Sequence, residues 1–120
     1  MKLDRNINGT GRGKYGLIKN RRVEEIRDAA KAGDTSAVQE HGKVVLALGV
    51  LAEAGIIEWG EPGTESEFFV IKLRDKYANP ALVGYANRVL DDGDDPEYAF
   101  EIAKLAHRCG THSPFCKKPD

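Results

Sequence analysis

The sequence predicts one α+β domain with a buried central helix, a small antiparallel β-hairpin and two C-terminal helices. Three observations support this fold class. Residues 44–52 form an apolar stretch inside a helix-forming segment, and a helix that is apolar on all sides is normally buried. Two runs rich in β-branched and aromatic residues, 56–59 and 68–73, are separated by glycine and proline, as in a hairpin. Two later segments open with Asn-Pro and Asp-Pro, a pattern typical of helix starts.

Length and composition agree with a single globular domain over residues 1–120. The chain has 120 residues, of which 41% are hydrophobic and 31% charged; these values are ordinary for a folded protein. Residues 1–13 are polar and rich in glycine, which predicts a flexible basic arm. No apolar stretch is long enough to span a membrane and the N-terminus lacks a secretory signal. We therefore expect a cytoplasmic protein with no membrane partner.

The N-terminal half contains two predicted helices. After a short predicted strand at 14–19, residues 21–32 form a helix that ends at Gly33, because glycine readily adopts the left-handed backbone found there. Asp34, or one of the two hydroxyl residues after it, can cap the central helix over 37–54.

Two interpretations remain for the middle of the chain. Four adjacent apolar residues at 68–71 favour the second strand of the hairpin. The sequence Thr-Glu-Ser-Glu at 64–67 instead fits a capping box that would begin a helix running to residue 78. The sequence does not decide whether residues 64–78 are strand or helix.

The two C-terminal helices are predicted at 80–90 and from 96 to about 107, the second being stopped by Gly110. In the second helix, Tyr98, Ile102 and Leu105 share one face because they are spaced by three or four residues.

Charge is unevenly distributed along the chain. Residues 1–22 carry seven basic side chains and one acid, and residues 91–101 carry six acids and no base. Such asymmetry can steer an anionic partner to the basic end, or the two segments can pair with each other. Both interpretations stay open.

The basic segment supplies the candidate ligand-binding residues. Its GRGKYG sequence has the spacing of a dinucleotide-binding loop but lacks the preceding buried strand that this motif requires. A weaker hypothesis remains, in which basic side chains hold a phosphate and an aromatic ring stacks on a base. The residues concerned are Arg12, Lys14, Tyr15, Arg21 and Arg22.

Other chemistry finds little support in the sequence. His107, Cys109, His112 and Cys116 lie within ten residues, but their spacing is poor for a zinc site; the sequence leaves open whether they bind metal. No nucleophile motif is present. We expect no cofactor and no metal, and a binding protein more than an enzyme; a zinc-assisted or thiol enzyme stays as a third hypothesis. The central helix and hairpin also look like half of a winged-helix domain, in which such a helix and hairpin bind DNA. Here the acidic hairpin would repel DNA, so a scaffold of this kind would make protein contacts instead.

The basic head ending in GKYGLIKNRR, the middle string GIIEWGEPGTESEFFVIKLRDKYANPALVGYA and the ending SPFCKKPD together resemble small accessory proteins of bacteriophages and prophages. The resemblance implies no site residues and no catalysis. It implies a protein that occupies the surface of a host or phage macromolecule, including host-defence components, or that sequesters a nucleotide.

We therefore predict a non-catalytic binding protein whose partner is a host or phage protein. Exposed aromatic residues such as Trp59, Phe68 or Tyr77 would serve as anchors, unless they belong to the core. The alternative is a nucleotide or nucleic-acid binder that uses the basic N-terminal segment. The sequence is also compatible with a homo-oligomer.

Overall fold

A computed structural model describes residue 3 and residues 5–119. This part of the chain contains four α-helices and two single 3-10 turns: α1 is Asn20–Lys31, α2 is Thr35–Glu53, α3 is Ala78–Asp92, α4 is Pro96–Ala106, and the turns are Ile7–Gly9 and Gly110–His112. No helix among these residues is long and apolar enough to cross a membrane. The chain divides into two compact units, each described separately below. The helical hairpin unit is Leu17–Phe68, and the C-terminal unit combines Phe69 onward with the residues up to Gly16. Of the predicted N-terminal arm, Met1, Lys2 and Asp4 lie outside the described residues.

The predicted α+β class is wrong, because the described residues form no strand. The one β-type pairing among them is an isolated parallel bridge between Asp75 and Lys117. Residues 56–59 and 68–71 are irregular, as are residues 14–19. High β-propensity reflects how well a residue fits a paired, half-buried surface, and two strands without a third strand or a covering helix are marginal.

The connection between the two β-rich runs closes without a strand ladder. Thr64 Oγ1 donates to the carbonyl of Glu61 at 2.7 Å, and Glu67 Oε1 accepts from Gly63 N at 2.8 Å. The ring of Phe68 lies over Gly60, where a Cβ would overlap it. The helix predicted as an alternative over 64–78 is therefore also wrong: these side chains satisfy a turn, and α3 begins only at Ala78.

The helical hairpin unit confirms the predicted cap between its helices. Asp34 is the N-cap of α2 and accepts from Ala37 N at 3.1 Å, while Gly33 takes the left-handed φ of 95° between α1 and α2. The side chains of α2 that are at least half-buried recur at intervals of four and three residues and face α1: Ala37, His41, Val44, Leu48 and Leu51. We call these five residues the inner row.

Helix α2 is not the buried central helix that its composition predicts. Its Val45, Leu46 and Val50 side chains are 52%, 71% and 59% exposed. One neighbouring helix can cover only one face, so the remaining apolar face of α2 stays in solvent within this unit.

In the C-terminal unit, α3 packs against α4 through small side chains. The buried residues there are Ala78, Ala86, Ala99, Ile102, Leu105, Ala106 and Cys109. Alanines on both helices let the backbones approach closely. The predicted face of α4 is confirmed, since Ile102 and Leu105 are buried and Tyr98 is half-buried.

The sequence correctly predicts the N-cap of α4 but not the N-cap of α3. Asp95 caps α4 by accepting from Tyr98 N at 3.0 Å, as predicted. Asn79 is not the cap of α3, because α3 begins at Ala78, two residues before its predicted start, and its N-cap is Tyr77. The Asn79 side chain instead donates to the carbonyl of Ala106 at 2.7 Å, satisfying an acceptor at the end of α4.

Candidate functional site

The five predicted ligand-binding residues do not all belong to one unit. Arg12, Lys14 and Tyr15 are exposed in the C-terminal unit, with the Tyr15 side chain 81% exposed. Arg21 and Arg22 are exposed in the first turn of α1, in the helical hairpin unit, and Arg22 pairs with Glu25 at 3.4 Å. Binding by the whole set stays a prediction.

The loop before Arg12 is closed by its own hydrogen bonds. Ile7 N donates to the carbonyl of Arg12 at 2.7 Å, and Gly11 N donates to the Asn6 side chain at 2.6 Å. The GRGKYG sequence therefore follows a compact polar loop and not the buried strand that a dinucleotide site needs.

The predicted aromatic anchors are on the surface. Trp59, Phe68 and Tyr77 are 46%, 56% and 56% exposed, so the alternative that placed them in the core is wrong. Trp59 and Phe68 belong to the helical hairpin unit. Tyr77 lies in the C-terminal unit under the Nζ of Lys76, at 4.7 Å from the ring centre.

A second row on α2 consists of the five residues that directly follow those of the inner row. It therefore repeats at the same intervals of four and three residues, and all of its members are apolar or glycine. We call it the outer row: Val38, Gly42, Val45, Gly49 and Ala52. All five residues are exposed. A Cβ placed on Gly42 or Gly49 would meet no atom within 4 Å. The outer row thus has the geometry of a helix-packing seam, without a neighbour in its own unit.

The C-terminal unit holds two open clefts that meet at Arg108. One, of about 560 Å³, is lined by Lys72, Leu73, Arg74, Arg108, Ser113, Pro114 and Phe115. The other, of about 620 Å³, is lined by Leu3, Arg5, Asn6, Glu101, Lys104, Leu105 and Arg108. We call the pair the basic groove.

Backbone hydrogen bonds hold the walls of the first cleft together. Gly110 N donates to the carbonyl of Leu73 at 2.7 Å, and Lys117 N donates to that of Arg74 at 3.0 Å. Gly110 has a φ of 58° and lies against the backbone and Cβ of Asn79, where a larger residue does not fit. This framework fixes the distance between the two walls before any ligand arrives.

Positive charge dominates the basic groove, although the whole chain has a net charge of −1. Its cations are Arg5, Lys72, Arg74, Lys104 and Arg108. Among the described residues that line it, the one carboxylate is Glu101, which accepts from Leu3 N at 3.3 Å. The arrangement attracts anions. Sequence reasoning missed it because these residues are scattered from position 5 to position 108 and share no local motif.

The four His and Cys residues near the C-terminus do not form a metal cluster. No group of three or more His, Cys, Asp or Glu side chains in the described part of the chain could hold a metal ion. Cys109 is fully buried, and its Sγ donates to the carbonyl of Ala106 at 3.3 Å, whereas Cys116 is exposed. Burial raises the pKa of the Cys109 thiol, which makes it a poor nucleophile.

One further pair of polar side chains joins α3 to α4. The Tyr85 and Tyr98 rings meet edge to face at a centroid distance of 6.1 Å, and their hydroxyls are 3.2 Å apart. The hydrogen bond to Tyr85, together with burial, raises the pKa of Tyr98 to about 12. Tyr98 therefore stays protonated at neutral pH, and the contact between the two rings is structural.

Comparison with known proteins finds no matching family model, no matching curated protein and no matching solved structure. The function must therefore be argued from the outer row and the basic groove themselves.

Proposed function

We propose that this chain is a non-catalytic, phage-type accessory protein that binds and modulates a host or phage protein through the outer row of α2. One observation carries the proposal: α2 has two rows of residues with identical helix-packing spacing, and α1 covers only one of them, leaving the wholly apolar outer row exposed. A helical segment of the partner would lie along the other.

The composition of the outer row suits a close helix–helix contact. Gly42 and Gly49 lie seven residues apart, so they fall on the same side of α2 two turns apart. Without side chains there, a partner helix can approach the α2 backbone, with Val38 and Val45 packing on either side of it. Leu46, 71% exposed, lies at the edge of the row. Val50 directly follows Gly49 and is therefore turned about 100° around the helix from it, which places Val50 outside the contact.

The size of the surface sets the expected strength of binding. The 19 residues of α2 span about 28 Å at a rise of about 1.5 Å per residue. Complete burial of a valine or leucine side chain contributes roughly 1.5–3 kcal/mol, and Val38, Val45 and Leu46 are already partly covered. Because association itself costs on the order of 4–15 kcal/mol, α2 alone supports weak binding. A tight complex would also have to engage Trp59, whose indole is the kind of side chain that dominates protein interfaces.

Two matched valine variants test the proposal. Val45→Asp places a charge in the outer row, and Val50→Asp places the same charge on the same helix outside it; the two valines are 52% and 59% exposed. Native mass spectrometry after incubation with bacterial lysate should show a protein retained by the wild type and by Val50→Asp but not by Val45→Asp. A partner retained or lost equally by both variants would contradict the proposal.

Self-association is the competing occupant of the same surface. Sedimentation velocity over the micromolar range distinguishes the two. A monomer at all concentrations supports a foreign partner. A dimer that Val45→Asp dissociates and Val50→Asp does not would assign the outer row to a second copy of this chain, and would overturn a foreign partner at this surface.

A further inference from the structure

The basic groove is independent of the outer row and has its own chemistry. Arg108, two residues after the end of α4, lines both of its clefts, so the two clefts are neighbours on the surface of this unit. Arg5, Lys72 and Arg108 form no ion pair among residues 3 and 5–119. Their charges are available to an external anion.

Two exposed aromatic rings accompany these cations. Phe115 lines the first cleft and is 75% exposed. Phe100, 62% exposed, lies under the Nζ of Lys104, which lines the second cleft, at 4.6 Å from the ring centre. Proteins that bind single-stranded nucleic acid without sequence preference combine two features. Cations follow the phosphate backbone of the strand, and aromatic rings stack on its bases.

The shape of the groove argues against two other phosphate ligands. A free nucleotide is usually held in a pocket that buries most of its surface, whereas Arg108, Phe115 and Lys72 are all exposed to solvent. Duplex DNA is usually read by a helix or a two-stranded ribbon in the major groove, but these cations lie on loops, apart from Lys104 in α4.

We infer that the basic groove binds single-stranded nucleic acid, with Arg108 at its centre contacting the phosphate backbone and Phe115 stacking on a base. The hydrogen bonds from Gly110 to Leu73 and from Lys117 to Arg74 tie the segment that carries Lys72 to the segment that follows Arg108, and both cations line the first cleft. The strand would run from this cleft past Arg108 into the second.

Fluorescence anisotropy with a labelled oligothymidylate of about 12 nucleotides tests this, since single-strand sites commonly span about 4–16 nucleotides. If Arg5, Lys72, Lys104 and Arg108 contact phosphates, the logarithm of the binding constant should fall with the logarithm of salt concentration with a slope of about −2.8, at roughly −0.7 per contact. Arg108→Gln should weaken binding about tenfold, as expected for a lost charge-assisted hydrogen bond, and should make the slope less steep by about 0.7.

Arg88→Gln is the matched control for charge. Arg88 lies in α3 of the same unit, pairs with Asp92 at 3.2 Å and lines neither cleft, so this variant should bind as the wild type does. Phe115→Ala should weaken binding about fivefold or more through lost stacking with an unchanged salt slope. Unaltered near-UV circular dichroism would show that the variants are folded.

Several outcomes would overturn the inference. Equal losses in Arg108→Gln and Arg88→Gln would mean that only overall charge matters. Loss of binding in an Arg21→Gln/Arg22→Gln double variant, with Arg108→Gln unaffected, would place the site in the basic N-terminal segment. Equal affinity for a duplex, or full competition by thymidine monophosphate, would exclude a single-strand groove, as would no binding at low salt. None of these results depends on the outer row.

Discussion

Replacement of Ile102 tests how the C-terminal unit is held together. Ile102 is 2% exposed, and it is more fully buried than Leu105, a side chain of the same size that is 6% exposed. The other buried residues of α3 and of its contact with α4 include four alanines, which fill little volume. Ile102 should therefore contribute more to the free energy of unfolding than any other single side chain in this unit.

The expected magnitude follows from the atoms removed. Ile102→Val deletes one carbon and should lower the free energy of unfolding by about 1 kcal/mol. Ile102→Ala deletes three carbons, at about 0.8 kcal/mol each for transfer, and leaves a cavity that the alanine-rich surroundings cannot refill. We expect a loss of about 3 kcal/mol, within the range of roughly 2–5 kcal/mol for such replacements.

Urea denaturation followed by two probes measures these losses. The near-UV signal of Tyr85 and Tyr98 reports on the C-terminal unit, and the chain's single tryptophan, Trp59, reports on the helical hairpin unit. The urea midpoint seen by the tyrosines should fall in the order wild type, Ile102→Val, Ile102→Ala, with an unchanged dependence on urea concentration.

Phe100→Ala provides the comparison within α4. It removes a larger side chain, but one that is 62% exposed, so its loss should stay below about 1 kcal/mol. If Ile102→Ala lost less than about 0.5 kcal/mol, or if Phe100→Ala lost as much as Ile102→Ala, the packing of α4 on α3 through Ile102 would be refuted.

Three further predictions concern single features of the C-terminal unit. Gly110→Ala should lower the free energy of unfolding by about 1–2 kcal/mol or more, measured by urea denaturation, because a Cβ is disfavoured at its positive φ and would lie 2.9 Å from Asn79. The stability contributed by protonated Tyr98 should be complete below its ordinary pKa of 10.0 and should be lost as the pH rises through about 12, as checked by tyrosinate absorbance and circular dichroism. In the native protein a thiol reagent should modify Cys116 rapidly and the buried Cys109 only after unfolding.

Matched variants control these measurements. Gly42→Ala has a helical backbone and open space, so it should stabilise α2 by about 0.5–1 kcal/mol, opposite in sign to Gly110→Ala; equal losses would contradict the strain at Gly110. Tyr85→Phe removes the hydrogen bond and should return the pKa of Tyr98 toward 10.0; an unchanged pKa would contradict the pairing. Cys116→Ser should leave no rapidly modified thiol, and rapid modification in that variant would mean that Cys109 is accessible.

Features that depend on neighbouring residues were predictable from the sequence. Asp34 and Asp95 cap α2 and α4 as expected, because a cap needs only its own side chain and an amide three residues later. The buried face of α4, with Ile102 and Leu105, follows from helical spacing alone.

The candidate binding surfaces were only partly accessible from the sequence. Arg12, Lys14 and Tyr15 stand out because they lie within four consecutive residues. Closeness along the chain does not show that their side chains form a binding site. Arg108 has no such signal, since the residues that join it in the basic groove come from the N-terminal segment, the segment before α3 and the C-terminal tail. Their proximity follows from contacts such as the Gly110–Leu73 hydrogen bond, between residues far apart along the chain.

By itself, therefore, the sequence determined where α4 begins, that Asp34 can cap α2, and which face of α4 is buried, because each depends on interactions within about one helical turn. It also showed where charge accumulates along the chain. The predicted start of α2 at residue 37 is two residues late, since the helix begins at Thr35. Only the tertiary structure decided that the β-rich runs at 56–59 and 68–71 remain unpaired, and that the outer row of α2 has no neighbour in its own unit. A strand needs a partner at a fixed register and an apolar row needs a neighbour, and whether either is present depends on the packing of distant segments.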